Sequence, residues 1–162
     1  MVKTVDIIIS SLEIAYNGPV NIKELQDHVK KWLKKNGYDP SEKGFETKTS
    51  SDGAKTTAMR WEADKKIDDY HKVWIKPTII ISNYKDVKVE GKKIAEGDVK
   101  IKLEAEVERD YEETWKGTPM KRFFRGFFDK FLATEKEDKV SKLLKKETGI
   151  LADELKNYFN ID

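Results

Sequence analysis

Between Val99 and Glu108 apolar and charged residues alternate without a break. Val99, Ile101, Leu103, Ala105 and Val107 share one face, and Lys100, Lys102, Glu104, Glu106 and Glu108 share the other. A period of two marks a strand with one packed face and one face in water. The same period appears from Phe45 onward. FETKTSSDGAKTTAMRW reads as a hairpin about Asp52-Gly53, with Thr57, Met59, Trp61 and Ala63 inward and Arg60, Glu62 and Asp64 outward. HKVWIKPTIIISNYKDVKVEG is the next strand, entered through a turn near residues 67–70 and left through a turn over residues 91–97. Pro77 cannot donate to a ladder, which places it at an edge-facing or bulged position. At the N-terminus VKTVDIIISSLEIAY is rich in β-branched residues and reads as a strand, although its apolar parity switches near Ile8.

Helical periods interrupt this pattern in two places. Ile22, Leu25, Val29, Trp32 and Leu33 fall on one face of a helix expected over residues 22–35. Asn21 followed by Glu24 has the spacing of a capping box, Val20 can staple onto Leu25, and Asn36-Gly37 with Pro40 beyond supplies the stop. In the C-terminal third, Thr118-Pro119 precedes Met120, Phe123, Phe124, Phe127, Phe128, Phe131 and Leu132, which recur at helical spacing. Thr134 and Glu137 then open a second stripe of Val140, Leu143, Leu144, Leu151, Leu155, Tyr158 and Phe159. One bent helix and two separate helices both fit. The expected architecture is a single α+β domain over residues 1–162. It has an antiparallel β-meander of about five or six strands, covered on one face by the C-terminal helices.

Composition narrows the classes of function. Of 162 residues, 32 are Lys or Arg and 30 are Asp or Glu, so the net charge of +2 gives no long-range pull on polyanions. There is no cysteine, which excludes disulfides, thiolate metal sites and cysteine nucleophiles. His28 and His71 stand on different elements, so no histidine metal site and no metal cofactor is expected. His28 is expected in solvent. His71 lies in the turn sequence DDYHK, where Asp68 and Asp69 are in reach to orient it. No glycine-rich phosphate loop, G-x-S-x-G or H-E-x-x-H is present, so no catalytic residue is assigned. With no apolar run of membrane-spanning length and no secretory leader, the expected location is cytoplasmic. The 38% of charged residues and the lack of cysteine are usual in thermophile or archaeal proteins.

Two features suggest chemistry. Five phenylalanines between Phe123 and Phe131 are interleaved with Lys121, Arg122, Arg125 and Lys130. Core packing, cavity lining, membrane-surface insertion and base stacking all remain open for them, and the single apolar stripe favours the core. The inward parity of the closing strand, carried past Val107, brings Arg109, Tyr111, Glu113 and Trp115 to the packed face. Three outcomes are open for Arg109: a solvated strand end, a structural ion pair, or a site for a ligand anion.

The order strand, helix, antiparallel meander, long C-terminal helix resembles the helix-grip architecture of START-like (polyketide-cyclase-like) domains. That resemblance implies a curved sheet wrapped around the last helix, with a cavity for an apolar ligand between them. Those domains carry two short helices after the first strand, and only one is evident here. The stretches MRWEADKKIDDY, KIKLEAEVERDYEETW and FFRGFFDKF also resemble small archaeal proteins with no assigned activity. The expectation is a non-enzymatic binding module for an apolar or amphipathic small molecule. Its candidate ligand-binding residues are Arg109, Tyr111, Trp61, Trp115, Phe124 and Phe128. The alternative is a homo-oligomeric or protein-interaction domain, because apolar stripes from Met120 to Phe159 span about 60 Å if helical throughout.

Overall fold

The computed structural model describes residues 4–109 and 133–162. In chain order they form β1 (Thr4–Val20), α1 (Ile22–Lys35), β2 (Asp39–Thr49), β3 (Lys55–Lys66), β4 (His71–Val89), β5 (Lys92–Arg109) and α2 (Ala133–Tyr158). The strands make one antiparallel sheet in the order β1-β5-β4-β3-β2. This is an α+β fold in which β2 to β5 form a meander and β1 closes on β5. The Phe123 to Phe131 run, Tyr111, Glu113 and Trp115 lie outside the described residues.

Helix α1 begins where its cap predicts. The Asn21 side chain accepts a hydrogen bond from the Glu24 amide at 3.1 Å, and the helix ends at Asn36 with Gly37 at φ 88°. Leu25, Val29, Trp32 and Leu33 are buried, as the stripe requires. On β1 the parity switch near Ile8 is a pair of register shifts, between Ile7 and Ile9 and between Ile9 and Leu12. Such bulges let the adjacent Ile8 and Ile9 both pack on the core while Ile7 remains 68% exposed.

The inner face of the sheet carries Met59, Trp61, Ala63, Val73, Ile75, Ile79, Ile81 and the alternating set from Val99 to Val107, all buried. Helix α2 covers β1, β5 and β4, and α1 lies against β2. The helices meet where the His28 ring stacks on Tyr158 with centroids 5.0 Å apart. A polar clamp joins three elements: Lys65 Nζ reaches both carboxylate oxygens of Glu147 at 2.8 and 2.9 Å and the Asn36 carbonyl at 3.1 Å, and lies 4.7 Å from the Tyr38 ring centroid. The outer face is solvated, with Lys76 between Glu62 and Glu106 at 3.8 and 3.0 Å.

Several expectations change. Pro77 is on a central strand, not an edge. The β3–β4 pairs pass from Arg60↔Thr78 to Ala63↔Ile75, so the ladder skips the step opposite Pro77 with its register unshifted. The hairpin after β2 spans residues 50–54 rather than a two-residue Asp52-Gly53 turn, and the Asp52 carboxylate accepts from the Ala54 amide at 3.1 Å. The turn expected over residues 91–97 is confined to Glu90 and Gly91, whose φ values of 50° and 78° fit a type I′ turn closed by Val89↔Lys92. Glu108, outward by alternation, is only 3% exposed, because burial at the strand end depends on neighbours as well as on parity. Leu143 is 39% exposed, while Thr148 is fully buried on the α2 stripe and returns its hydroxyl to the Leu144 carbonyl at 2.7 Å. Thr134 lies within α2 rather than before it. His28 is half-buried, not solvated, with Nε2 3.6 Å from Glu154.

Candidate functional site

The residues singled out in the sequence do not converge within the described part of the molecule. Trp61 is buried under α1, with Lys30 Nζ 5.4 Å from its ring centroid. Among the described residues its indole N–H has no hydrogen-bond partner. In strand register Trp61 lies level with Leu103. Arg109 is six residues further along β5, about 20 Å at 3.3 Å per residue. The Arg109 Nε is 3.3 Å from an Asp6 carboxylate oxygen on β1, and the side chain is 20% exposed. Its other candidate neighbours, Tyr111, Trp115, Phe124 and Phe128, lie outside the described residues.

Beside Arg109 in register stands His71, which is fully buried. Asp68 orients it: one carboxylate oxygen accepts from the Tyr70 and His71 amides at 2.8 and 2.6 Å, and Nδ1 lies 3.2 Å from both oxygens. The turn is thus an Asp-centred cage around an imidazole.

The concavity with the most varied chemistry is at the opposite end of the sheet. Inward parity continues back from Val99 through Gly97, Ala95 and Lys93, and the matching inward positions on β3 and β4 are Thr57, Tyr84 and Asp86. Helix α1 starts only at Ile22, and of these inward residues Thr57, Tyr84 and Ala95 are buried while Asp86 and Lys93 are exposed. The result is a cleft of about 280 Å³ lined by the α1 start (Asn21, Ile22, Lys23), Phe45 and Thr47 of β2, and Lys55, Thr57, Tyr84, Asp86, Lys93 and Ala95. That size is close to the lower end for small-molecule sites, about 300 Å³.

Its floor is a chain of hydroxyls. Thr47 and Thr57 are 2.9 Å apart, and Thr57 and Tyr84 are 2.7 Å apart. Three hydroxyls joined by two hydrogen bonds use two of three O–H donors, so one donor is left for an incoming acceptor. The wall is ionic: Asp86 receives Lys55 at 2.7 Å and Lys93 at 3.4 Å. Partial burial raises the Asp86 pKa, but the hydrogen bonds and charges of the two lysines outweigh it and hold the carboxyl below its ordinary value. The hydrogen bond and charge of Asp86 in turn raise Lys55 above its ordinary value. An ammonium held protonated in this way attracts anions and is a poor nucleophile. Apolar surface comes from Ile22 and Phe45, the latter 57% exposed.

The β4–β5 arm that supplies this wall stands apart from the sheet. β3 pairs with β4 no further than Tyr84, and β1 with β5 no further than Ala95. Beyond these, Val87↔Ile94, Lys88↔Lys93 and Val89↔Lys92 pair only with each other, and Lys92 braces the arm to Glu24 on α1 at 3.4 Å. None of the cleft's polar residues was among the candidate ligand-binding residues, although Asn21 and Thr57 were read as a helix cap and an inward strand position. Carrying the Val99 parity backwards through Gly97 would have found Lys93. The turn placed over residues 91–97 hid that continuation.

Among the described residues no group of three or more His, Asp or Glu side chains could hold a metal ion, and no helix is long and apolar enough to cross a membrane. The chain matches no protein-family model, and no curated protein and no solved structure is significantly similar to it.

Proposed function

We propose that the protein is a non-enzymatic binding module that holds a small amphipathic molecule in the cleft beyond the α1 N-terminus. The observation that carries this reading is the combination in one concavity of an exposed ring (Phe45), a hydroxyl floor with a surplus donor, and paired ammonium groups. The START-like element order is consistent with a ligand module. The cleft proposed here lies at the end of the sheet, not beneath the last helix.

Native mass spectrometry of protein purified from cells tests the reading. A bound small molecule is expected, and it should be lost from Thr47→Trp. That substitution fills the cleft from an exposed edge-strand position and, with the loss of one hydrogen bond to Thr57, should cost no more than about 1.5 kcal/mol of stability. A ligand retained by Thr47→Trp places the site elsewhere.

A second reading, self-association, has its own observation. Leu143 and Ile150 are 39% and 43% exposed on α2 and stand seven residues apart, on one face of the helix away from the core stripe. Light scattering on the parent and on Leu143→Glu/Ile150→Lys checks it. A monomer at every concentration removes this reading.

A further inference from the structure

We infer that the ligand of the cleft carries an anionic head, a carboxylate or a phosphate, that takes the place of the Asp86 carboxylate between Lys55 and Lys93. This inference rests on the reading that the cleft binds a small molecule.

The charged groups lining the cleft are Lys23, Lys55, Lys93 and Asp86, so one carboxylate faces three ammonium groups. At the rim, Glu24 is engaged by Lys92. Asp86 is held by two lysines at once, at 2.7 and 3.4 Å. Of the remaining polar groups, Asn21 accepts from the Glu24 amide, and Thr47, Thr57 and Tyr84 together have one O–H donor to spare. The cleft is therefore rich in donors, and its one full negative charge is already neutralised. A cation entering it would meet three like charges and a carboxylate that is already paired. A neutral molecule would leave the lysine pair as it is. An anion matches what is present: it accepts from ammonium and hydroxyl groups, and its apolar body lies on Ile22 and the exposed Phe45 ring.

Asp86 is then an internal stand-in for the ligand's head. It lies on the β4–β5 arm, which neither β1 nor β3 supports past Ala95 and Tyr84. Displacing it breaks contacts on an arm whose tip pairs only within itself. The stand-in should compete with the ligand. Removing its charge should tighten binding even though it removes a contact of the folded protein.

The test uses four probes with one ring and different heads: benzoate, phenyl phosphate, benzyl alcohol and benzylamine. Each is titrated into isotopically labelled protein while the amide resonances of Lys23, Thr47, Thr57 and Lys93 are followed. Benzoate and phenyl phosphate are expected to bind, and their ratio separates a carboxylate head from a phosphate head. Asp86→Asn should tighten both by about fivefold, and Lys93→Met should weaken both by about fivefold, as for exposed ion pairs. Lys93 is on the surface, so Lys93→Met keeps the test alive if Asp86→Asn folds poorly. Silence from all four probes would overturn the binding reading itself. Equal binding of benzyl alcohol or benzylamine, or Asp86→Asn with unchanged or weaker affinity for the anions, would overturn the anionic head and leave the cleft a binding site.

Discussion

Strand β5 passes through two environments without changing its alternation. From Val99 to Val107 it lies between β1 and β4 with α2 over its inner face, and every inward side chain there is at most 2% exposed. From Lys92 to Ile94 it pairs with β4 alone, and the inward positions of this arm hold Asp86, Lys88 and Lys93. The outward positions hold Val87 and Val89, 45% and 51% exposed. Period two therefore tells which residues share a face, but not whether that face is covered. Coverage comes from helices elsewhere in the chain. Where it stops, the inward face becomes the wall of a cleft.

The largest expected effect lies in the covered half. Ile101→Ala removes a fully buried side chain between three elements and should cost about 2–5 kcal/mol in urea denaturation. Val87→Ala, on the same hairpin, should change stability by no more than about 0.5 kcal/mol. Comparable losses at the two positions would mean that the arm is packed, and the comparison would fail.

Gly97 stands at the boundary and couples the two halves. A Cβ there would lie 2.7 Å from the Ser82 carbonyl oxygen and 2.7 Å from Tyr84 Cβ, beside the register shift between Ser82 and Lys85. Gly97→Ala should cost about 1–3 kcal/mol, because the backbone contact cannot give way as a flexible side chain can. Hydrogen exchange should locate the damage, with faster exchange from Tyr84 to Glu96 and unchanged protection around Ile101. Uniform loss of protection would show that the arm and the covered sheet unfold together.

The pattern of success in reading the sequence follows the same division. Asn21, Glu24 and the Leu25 to Leu33 stripe placed α1 at its observed ends because capping and amphipathicity are local. The inward faces of β3 and β5 were legible for the same reason. Glu108 and Leu143 were misplaced because their burial depends on which distant element lies beside them. The cleft was missed for two physical reasons. Glu90 takes a left-handed conformation that β-turn preferences assign to Asn, Asp or Gly, so the turn seemed to lie further on. Lys55, Asp86 and Lys93 are also single charges among many, and only the β3–β4–β5 pairing brings them together. Of the six residues first proposed to bind a ligand, Trp61 is core and Arg109 pairs with Asp6. The other four lie outside the described residues.

pH separates the halves further. In the covered half, burial raises the Tyr38 pKa, and the negative charge of Glu147 adds to the effect. A phenol with a folded-state value above its unfolded value, about 10, contributes stability that is complete below that pH. The contribution is lost as pH rises through the folded value. Urea denaturation between about pH 9 and pH 11 should show falling stability, and Tyr38→Phe should show a shallower fall. Identical slopes would mean that the ring is hydrated.

The smallest expected effect belongs to the arm and has the opposite pH dependence. Asp86 is held below its ordinary value by two lysines that outweigh its partial burial. A depressed carboxyl contributes stability that is present above the unfolded-state value and is lost as pH falls through the folded one. The parent should therefore melt slightly above Asp86→Asn near neutral pH. The difference should close below about pH 4, where protonated aspartate and asparagine are alike in charge. It should stay small throughout, because both partners keep solvent contact, with side chains 34% and 22% exposed, and water screens the pair. On the alkaline side the raised Lys55 contributes stability that is complete below its ordinary value and falls only above it, so the pair adds little to the change up to about pH 10. Melting curves of the two proteins from about pH 2.5 to pH 7 decide the point. A difference that persists unchanged at the acid end would trace the effect to altered packing. No difference at any pH would mean that the Lys55–Asp86 pair does not hold the arm in solution, and Asp86 would then offer an incoming anion no competition.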